Sequence, residues 1–118
     1  MQTKIDKLRE LLTDPNGCFR VASMVLTANQ ALFGDMQILH EDVDARLAEL
    51  DAKHLTPTRF LQDLRELLLN DTSAFMRVPY SQNFHYSSMY DEFKLLHEQV
   101  KELLGEEKVD KRKKKEQQ

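Results

Sequence analysis

The chain has 118 residues, of which 41% are hydrophobic and 31% are charged. This length allows one domain with a modest buried core. Three glycines and three prolines are too few for a turn-rich β-sandwich or barrel, and the composition favours helices. The single cysteine, Cys18, excludes an intrachain disulfide and agrees with a reducing compartment.

Charge is distributed unevenly along the chain. The net charge is −3, although residues 108–118 are strongly basic, so the remainder is acidic. No charged segment followed by an apolar one opens the chain, and no apolar run approaches the ~18 residues that span a bilayer. We therefore expect a cytoplasmic protein, or a nuclear one if the cell is eukaryotic, with no membrane contact.

The first predicted helix starts at Thr3, whose hydroxyl is suited to capping it. Apolar residues recur at helical spacing along one face of this segment. They are Met1, Ile5, Leu8 and Leu12. The sequence Asp14-Pro15-Asn16-Gly17 is expected to end the helix, because proline presets φ and the next two residues tolerate turn conformations.

The second predicted helix is long and runs from about residue 18 to about residue 53. Its first half, residues 18–33, has Arg20 as its only charge and shows two apolar stripes. One stripe contains Ala22, Val25, Leu26, Leu32, Phe33 and Met36, with Asn29 as an interruption. Gly34 is the weak point, at a cost of about 1 kcal/mol relative to alanine, and is expected to mark a kink or a close helix contact.

The second half of this helix is amphipathic and charged, with one apolar stripe. That stripe is Met36, Leu39, Val43, Leu47 and Leu50. One short neighbouring helix cannot bury both apolar stripes on the first half. We therefore expect the long helix to lie either at the centre of a bundle or at the interface of a homodimer. The predicted oligomer interface is Val21, Met24, Ala28 and Ala31, where Asn29 would fix the register.

Two further helices are predicted. The third begins with Thr56 as N-cap and Pro57 at its first position, buries Phe60, Leu61, Leu64, Leu67 and Leu68, and ends at Asn70. The fourth has Ser88 as N-cap, a heptad-spaced face at Met89, Phe93, Leu96, Val100 and Leu103, and ends at Gly105. We expect no internal repeat and a disordered tail from about residue 106.

The segment between these two helices, residues 71–87, is predicted to be an aromatic-rich loop. Long loops inside compact domains are often functional, and tyrosine and phenylalanine are enriched at recognition hot spots. The predicted partner-binding residues are Phe75, Tyr80, Phe84, Tyr86 and Tyr90. The alternative is that the loop closes the end of the bundle and that Phe75, Phe84 and Phe93 belong to its core.

Candidate catalytic and metal sites are weak. Cys18 lies in an apolar stretch, and the chain has neither a nucleophile-elbow motif nor a glycine-rich phosphate loop. His40 and Asp44 share a helix face, as a metal pair would require. A helical metal site needs a matching pair on a second helix, and the only candidate, His97 with Glu98 or Lys101, is poor.

A helical nucleotide hydrolase that holds Mg²⁺ beside a phosphate needs several carboxylates on facing helices. Glu41-x-x-Asp44 and Glu98-x-x-x-Glu102 are the candidates, but they fall where an outer helix face would put them. We therefore expect no catalytic residue, no metal and no cofactor.

The basic tail supports an alternative function. Five consecutive basic residues, Lys111, Arg112, Lys113, Lys114 and Lys115, are suited to contacting phosphates without sequence specificity. The acidic remainder of the chain argues against a broad nucleic-acid-binding face.

The sequence thus predicts an all-α protein, an irregular four-helix bundle built around one long helix at about 18–53. Residues 1–105 form the helical domain, and residues 106–118 form the basic tail. The predicted function is a small non-enzymatic protein–protein interaction module, such as an adaptor, inhibitor or assembly subunit, with a possible homodimer. The alternative is a nucleic-acid-associated accessory protein that acts through its tail.

Overall fold

The computed structural model describes residues 2–26 and 28–105. Within these ranges the chain is helical or in turns and contains no strand, which confirms the predicted all-α class. The predicted disordered tail, and with it Lys111, Arg112, Lys113, Lys114 and Lys115, lies outside the described residues.

The helices occur in the following order along the chain. They are α1 (Gln2–Thr13), α2 (Cys18–Val21), a 3-10 helix (Ala22–Leu26), α3 (Gln30–Asp51), α4 (Pro57–Leu69), α5 (Ala74–Arg77), a second 3-10 helix (Val78–Tyr80), α6 (Gln82–His85) and α7 (Tyr90–Leu104). The four long helices α1, α3, α4 and α7 carry most of the core.

The prediction of one continuous helix over about 18–53 is wrong. The chain leaves the helical path after the first 3-10 helix and re-enters it at Gln30. Asn29 explains this break, because its side chain accepts a hydrogen bond of 3.2 Å from the backbone N–H of Leu32 and so caps α3. Gly34, where a kink or a close contact was expected, lies inside α3, and a Cβ added there would meet nothing within 4 Å.

The prediction of an irregular loop over 71–87 is also wrong. This segment forms α5, the second 3-10 helix and α6. Ser73 organises its start, since its Oγ accepts from the N–H of Met76 at 3.3 Å and donates to the carbonyl of Leu68 at 2.8 Å. The last helix starts at Tyr90, with Met89 and not Ser88 at its N-cap.

The expectation that the chain has no internal repeat is wrong as well. The sequence Leu-Arg-Glu-Leu-Leu occurs at residues 8–12 and again at 64–68, and Leu-His-Glu-x-Val occurs at 39–43 and again at 96–100. The first pair lies in α1 and α4, and the second lies in α3 and α7. Each half therefore contains a long helix, a short helix, a 3-10 helix and a second long helix in this order, and the second half has α6 in addition. Residues 2–51 are called repeat 1, and residues 57–104 are called repeat 2.

Matched positions in the two repeats have matched environments. Phe19 and Phe75 are both buried, and their carbonyl oxygens lie 2.9 Å and 2.6 Å from the Nε2 atoms of His40 and His97. His40 follows Phe19 by 21 residues, and His97 follows Phe75 by 22, so the second repeat contains one additional residue before its last helix. This residue lies in the region where repeat 2 has α6.

The repeats pack reciprocally. Helix α3 of repeat 1 lies against α4 and α5 of repeat 2, and α7 of repeat 2 lies against α1 and α2 of repeat 1. Exchange of equivalent surfaces in both directions is the pattern that a two-fold relation produces in a dimer. The apolar core accordingly draws on both repeats, so neither repeat covers its own apolar residues without the other.

Candidate functional site

The structure divides the predicted partner-binding residues into two groups. Phe75 and Phe84 are buried, and their rings contact Phe93 at centroid distances of 5.4 Å and 5.1 Å. In this conformation a partner cannot reach them without opening the core. Tyr80 and Tyr86 are 81% and 79% exposed. Tyr90 is half-buried against the ring of His85, at 4.7 Å.

The predicted oligomer-interface residues do not form one helical stripe. Val21 ends α2, Met24 lies in the first 3-10 helix, Ala28 lies in the turn before α3, and Ala31 lies in α3. Met24 is 72% exposed, whereas Val21 is half-buried and the two alanines are exposed. Because the chain breaks near Asn29, Met24 is the one large apolar side chain that this set presents to solvent.

Five large apolar side chains are exposed among the described residues, and four of them form two equivalent pairs. Met24 and Tyr80 occupy the same position in the two 3-10 helices, while Ile38 and Leu95 occupy the same position in α3 and α7. Ile38 is 57% exposed and Leu95 is 56% exposed. Neither residue was predicted from the sequence to bind a partner. The sequence signal that could have identified them is that each is a large aliphatic residue outside the apolar stripe of an amphipathic helix.

Leu95 borders the groove that we call the first groove, which lies between α7, α1 and the start of α2. Its volume is about 250 Å³, and it is lined by Leu11, Leu96 and Cys18 as well as by polar residues. The carboxylates of Glu10, Asp14 and Glu92 and the ammonium of Lys7 lie around it.

Ile38 borders the groove that we call the second groove, which lies between α3, the end of α4 and α5. Its volume is also about 250 Å³, and Leu39 and Leu67 line it. Asp35 and Asp42 lie along its edge, and Asp35 is paired with Arg77 at 2.5 Å.

The two grooves are equivalent at most of their lining positions. Seven pairs of lining residues correspond between the repeats: Leu11 and Leu67, Gly17 and Ser73, Cys18 and Ala74, Glu92 and Asp35, Leu95 and Ile38, Leu96 and Leu39, and Gln99 and Asp42. Each groove is formed across the boundary between repeats, because the long helix of one repeat faces the first helix of the other. The reciprocal packing of the fold therefore generates both grooves.

Cys18 lies in the first groove and has the properties of a structural thiol. Its Sγ–H donates to the carbonyl of Glu92 over 3.7 Å. Burial, together with the nearby Glu92 carboxylate, raises the pKa of the Cys18 thiol to about 11. The thiol is thus protonated at neutral pH and poorly suited to nucleophilic attack. Ala74 takes the equivalent place in the second groove.

The two buried histidines make structural contacts. The rings of His40 and His97 pack against those of Phe19 and Phe75 at 4.9 Å and 4.3 Å, and each neutral ring donates from Nε2 to a backbone carbonyl. Burial is the largest cause lowering the pKa of both, that of His97 to about 4. Asp44, the predicted companion of His40, is instead paired with Arg20 at 2.7 Å.

A third groove lies beside the turn that joins the repeats. It has a volume of about 450 Å³ and is lined by Leu50, Lys53, Leu55 and the ion pair of Arg9 with Asp51, among others. The guanidinium of Arg9 donates two hydrogen bonds to Asp51, at 2.8 Å and 3.1 Å, and this contact lowers the pKa of the carboxyl. The guanidinium of Arg9 is therefore already engaged by Asp51.

Within residues 2–26 and 28–105, no group of three or more histidine, cysteine, aspartate or glutamate side chains is arranged to hold a metal ion. None of the described helices combines the length and apolar character needed to cross a bilayer.

No protein-family model, no curated protein and no solved structure matches this chain.

Proposed function

We propose that this protein is a small non-enzymatic interaction module that binds a protein partner through its exposed apolar side chains. The observation that carries the proposal is the pairing of Met24 with Tyr80 and of Ile38 with Leu95. Single exposed apolar residues are ordinary on protein surfaces. Exposure of large apolar side chains at the same two positions of both repeats is a pattern, and it needs a physical reason.

Neighbouring positions on α3 and α7 differ between the repeats, unlike Ile38 and Leu95. Asp44 of α3 corresponds to Lys101 of α7, and Gln37 corresponds to Lys94, so these equivalent positions differ in charge between the repeats. Ile38 and Leu95 lie on the same two helices and are both aliphatic and exposed. Contact with a partner accounts for this difference, because apolar contact surface is favourable only where it becomes buried.

Two of the five large apolar side chains exposed in the described ranges, Tyr80 and Tyr86, are aromatic. Tyrosine buries a large area at a low entropic cost and keeps a hydroxyl for hydrogen bonding, which is why it is common at binding hot spots. Such a module serves as an adaptor, inhibitor or assembly subunit. The proposal places it in a reducing compartment such as the cytoplasm, where the single Cys18 thiol stays reduced.

The test is affinity capture of the intact protein from its native cells, followed by quantification of the proteins that accompany it. A Tyr80→Ala, Tyr86→Ala double variant is expected to lose the partner without a change in helicity or melting temperature, because both rings are exposed. A matched control, Gln62→Ala on the exposed face of α4, is expected to retain it. The same set of captured proteins for wild type, double variant and control would contradict the use of this surface.

A further inference from the structure

We propose that the first and second grooves are two equivalent docking sites, and that each binds one short basic amphipathic helix of a protein partner. The inference rests on the proposed function, for which it specifies the sites and the chemistry of the partner. Its starting point is that the two grooves have equal volumes of about 250 Å³ and share seven equivalent lining positions.

The size of the grooves favours side chains as their occupants. Sites for small molecules usually enclose ~300–1,000 Å³, and each of these grooves is smaller. Leu11 and Leu96 line the first groove, and Leu67 and Leu39 line the second. A few apolar side chains projecting from a partner would fill this space and cover Leu95 or Ile38 at its border.

The position of the grooves favours a helical partner. Each one lies between a long helix and the first helix of the other repeat, so its walls are helix surfaces. A further helix packs on such a surface by placing one ridge of side chains into the groove. Recognition of this kind uses apolar residues at positions i, i+3, i+4 and i+7 of the partner.

The charge around the grooves favours a basic partner. The first groove has three carboxylates, those of Glu10, Asp14 and Glu92, against one ammonium, and Lys7 lies 3.8 Å from Glu10. In the second groove Asp42 adds a carboxylate beyond the pair of Asp35 with Arg77. Lysine or arginine flanking an apolar stripe would match both edges and would speed association at low salt.

Two other occupants fit less well. A second copy of this chain would bring its own acidic groove edges against those of the first. The basic tail of the chain supplies positive charge, but Val109 is the only apolar residue in 106–118, so the tail lacks the stripe needed to fill a groove.

Isothermal titration of the full chain with a synthetic helical peptide tests the proposal. The peptide has leucine at i, i+3, i+4 and i+7 and lysine elsewhere, and its counterpart has glutamate in place of lysine. The expected result is two lysine peptides bound per chain and no binding of the glutamate peptide. Leu95→Gln is expected to remove one site, Ile38→Gln the other, and the double variant both.

His54→Gln and Gln62→Ala are the controls, because both residues are exposed, neither lines either groove, and neither belongs to the exposed apolar set. They are expected to leave the stoichiometry at two. Glu92→Gln is expected to weaken the first site at low salt and to have little effect at high salt, where charges are screened.

Several outcomes would overturn the inference. These are binding of one peptide or none per chain, equal binding of the glutamate peptide, two sites remaining in the Leu95→Gln, Ile38→Gln variant, and a dimer of the free chain that this variant dissociates. The native-cell capture separates the two proposals. A partner that depends on Tyr80 and Tyr86 would leave the proposed function standing even if the peptide does not bind.

Discussion

Phe19 and Phe75 occupy equivalent positions in the two repeats, and their rings meet in the core with centroids 5.8 Å apart. Each phenylalanine also accepts, through its carbonyl, a hydrogen bond from the buried histidine of its own repeat. This contact joins the halves where α2 faces α5. It adds to the packing of α3 on α4 and α5 and of α7 on α1 and α2, which forms both grooves.

Truncation of either ring is expected to destabilise the whole protein. Phe19→Ala and Phe75→Ala should each lower the free energy of unfolding by about 3–5 kcal/mol, because a buried phenylalanine leaves a cavity when removed. Urea unfolding followed by circular dichroism measures this. Tyr86→Ala, at an exposed aromatic, is the control and should change stability by no more than about 0.5 kcal/mol. A loss below about 1 kcal/mol for either core variant would contradict the central role of the contact.

The buried histidines predict a loss of stability in mild acid. The pKa of His97 is about 4 in the folded chain and close to 6.5 in an unfolded one, so the unfolded state binds a proton first as the pH falls. The His97 contribution is therefore complete above pH ~6.5 and decreases towards pH ~4. It should amount to about 2 kcal/mol between pH 7 and pH 5.

Urea unfolding of His97→Gln at the two pH values checks this prediction. The variant should show a smaller difference between pH 7 and pH 5 than the wild type, with the remaining difference carried in part by His40. His54→Gln, at an exposed histidine, should behave like the wild type. An unchanged pH dependence in His97→Gln would show that this histidine is not the titrating group.

Replacing Asn29 by alanine distinguishes a capped break from a continuous helix, because the two structures predict opposite changes in the free energy of unfolding. Asn29→Ala should lower the free energy of unfolding by about 1 kcal/mol, because it removes the acceptor for the N–H of Leu32. In a continuous helix the same change would stabilise the chain, since alanine has the higher helix propensity. Asn29→Asp retains the acceptor and should be close to neutral. A stabilised Asn29→Ala variant would contradict the observed cap.

The basic tail carries the alternative function, and truncation tests it. Removal of residues 106–118 should abolish any binding of double-stranded DNA at low salt, because this binding would depend on Lys111, Arg112, Lys113, Lys114 and Lys115. The truncated chain should still capture its protein partner, since the exposed apolar residues lie before Gly105. Loss of the protein partner on truncation would instead make the tail part of the recognition surface.

Periodicity predicted the buried faces of the long helices well. Ile5, Leu8 and Leu12 of α1 are buried, as are Phe93, Leu96 and Val100 of α7. The pattern missed the end of α7, where Leu104 is buried and the predicted Leu103 is only partly covered. A heptad and a straight helix drift apart by a fraction of a turn over this length.

Hydrophobic periodicity could not reveal the break before α3 or the internal repeat, for two different reasons. Asn29 falls on an apolar stripe, so periodicity treats it as a polar interruption, whereas its effect depends on the non-helical backbone that it caps. The repeat is confined to two short matching segments that an additional residue in repeat 2 moves out of register. Ile38 and Leu95 lie outside the stripes, and they become a pair only when α3 and α7 are matched.

The most direct test of the account is quantitative capture from native cells with a variant that changes both exposed pairs together. This variant carries glutamine at all four positions: Met24, Tyr80, Ile38 and Leu95. It should keep the helicity and melting temperature of the wild type, because all four side chains are exposed. The account predicts that at least one protein captured by the wild type is lost from the folded variant. An unchanged set of captured proteins would contradict the claim that the duplicated apolar positions bind a partner.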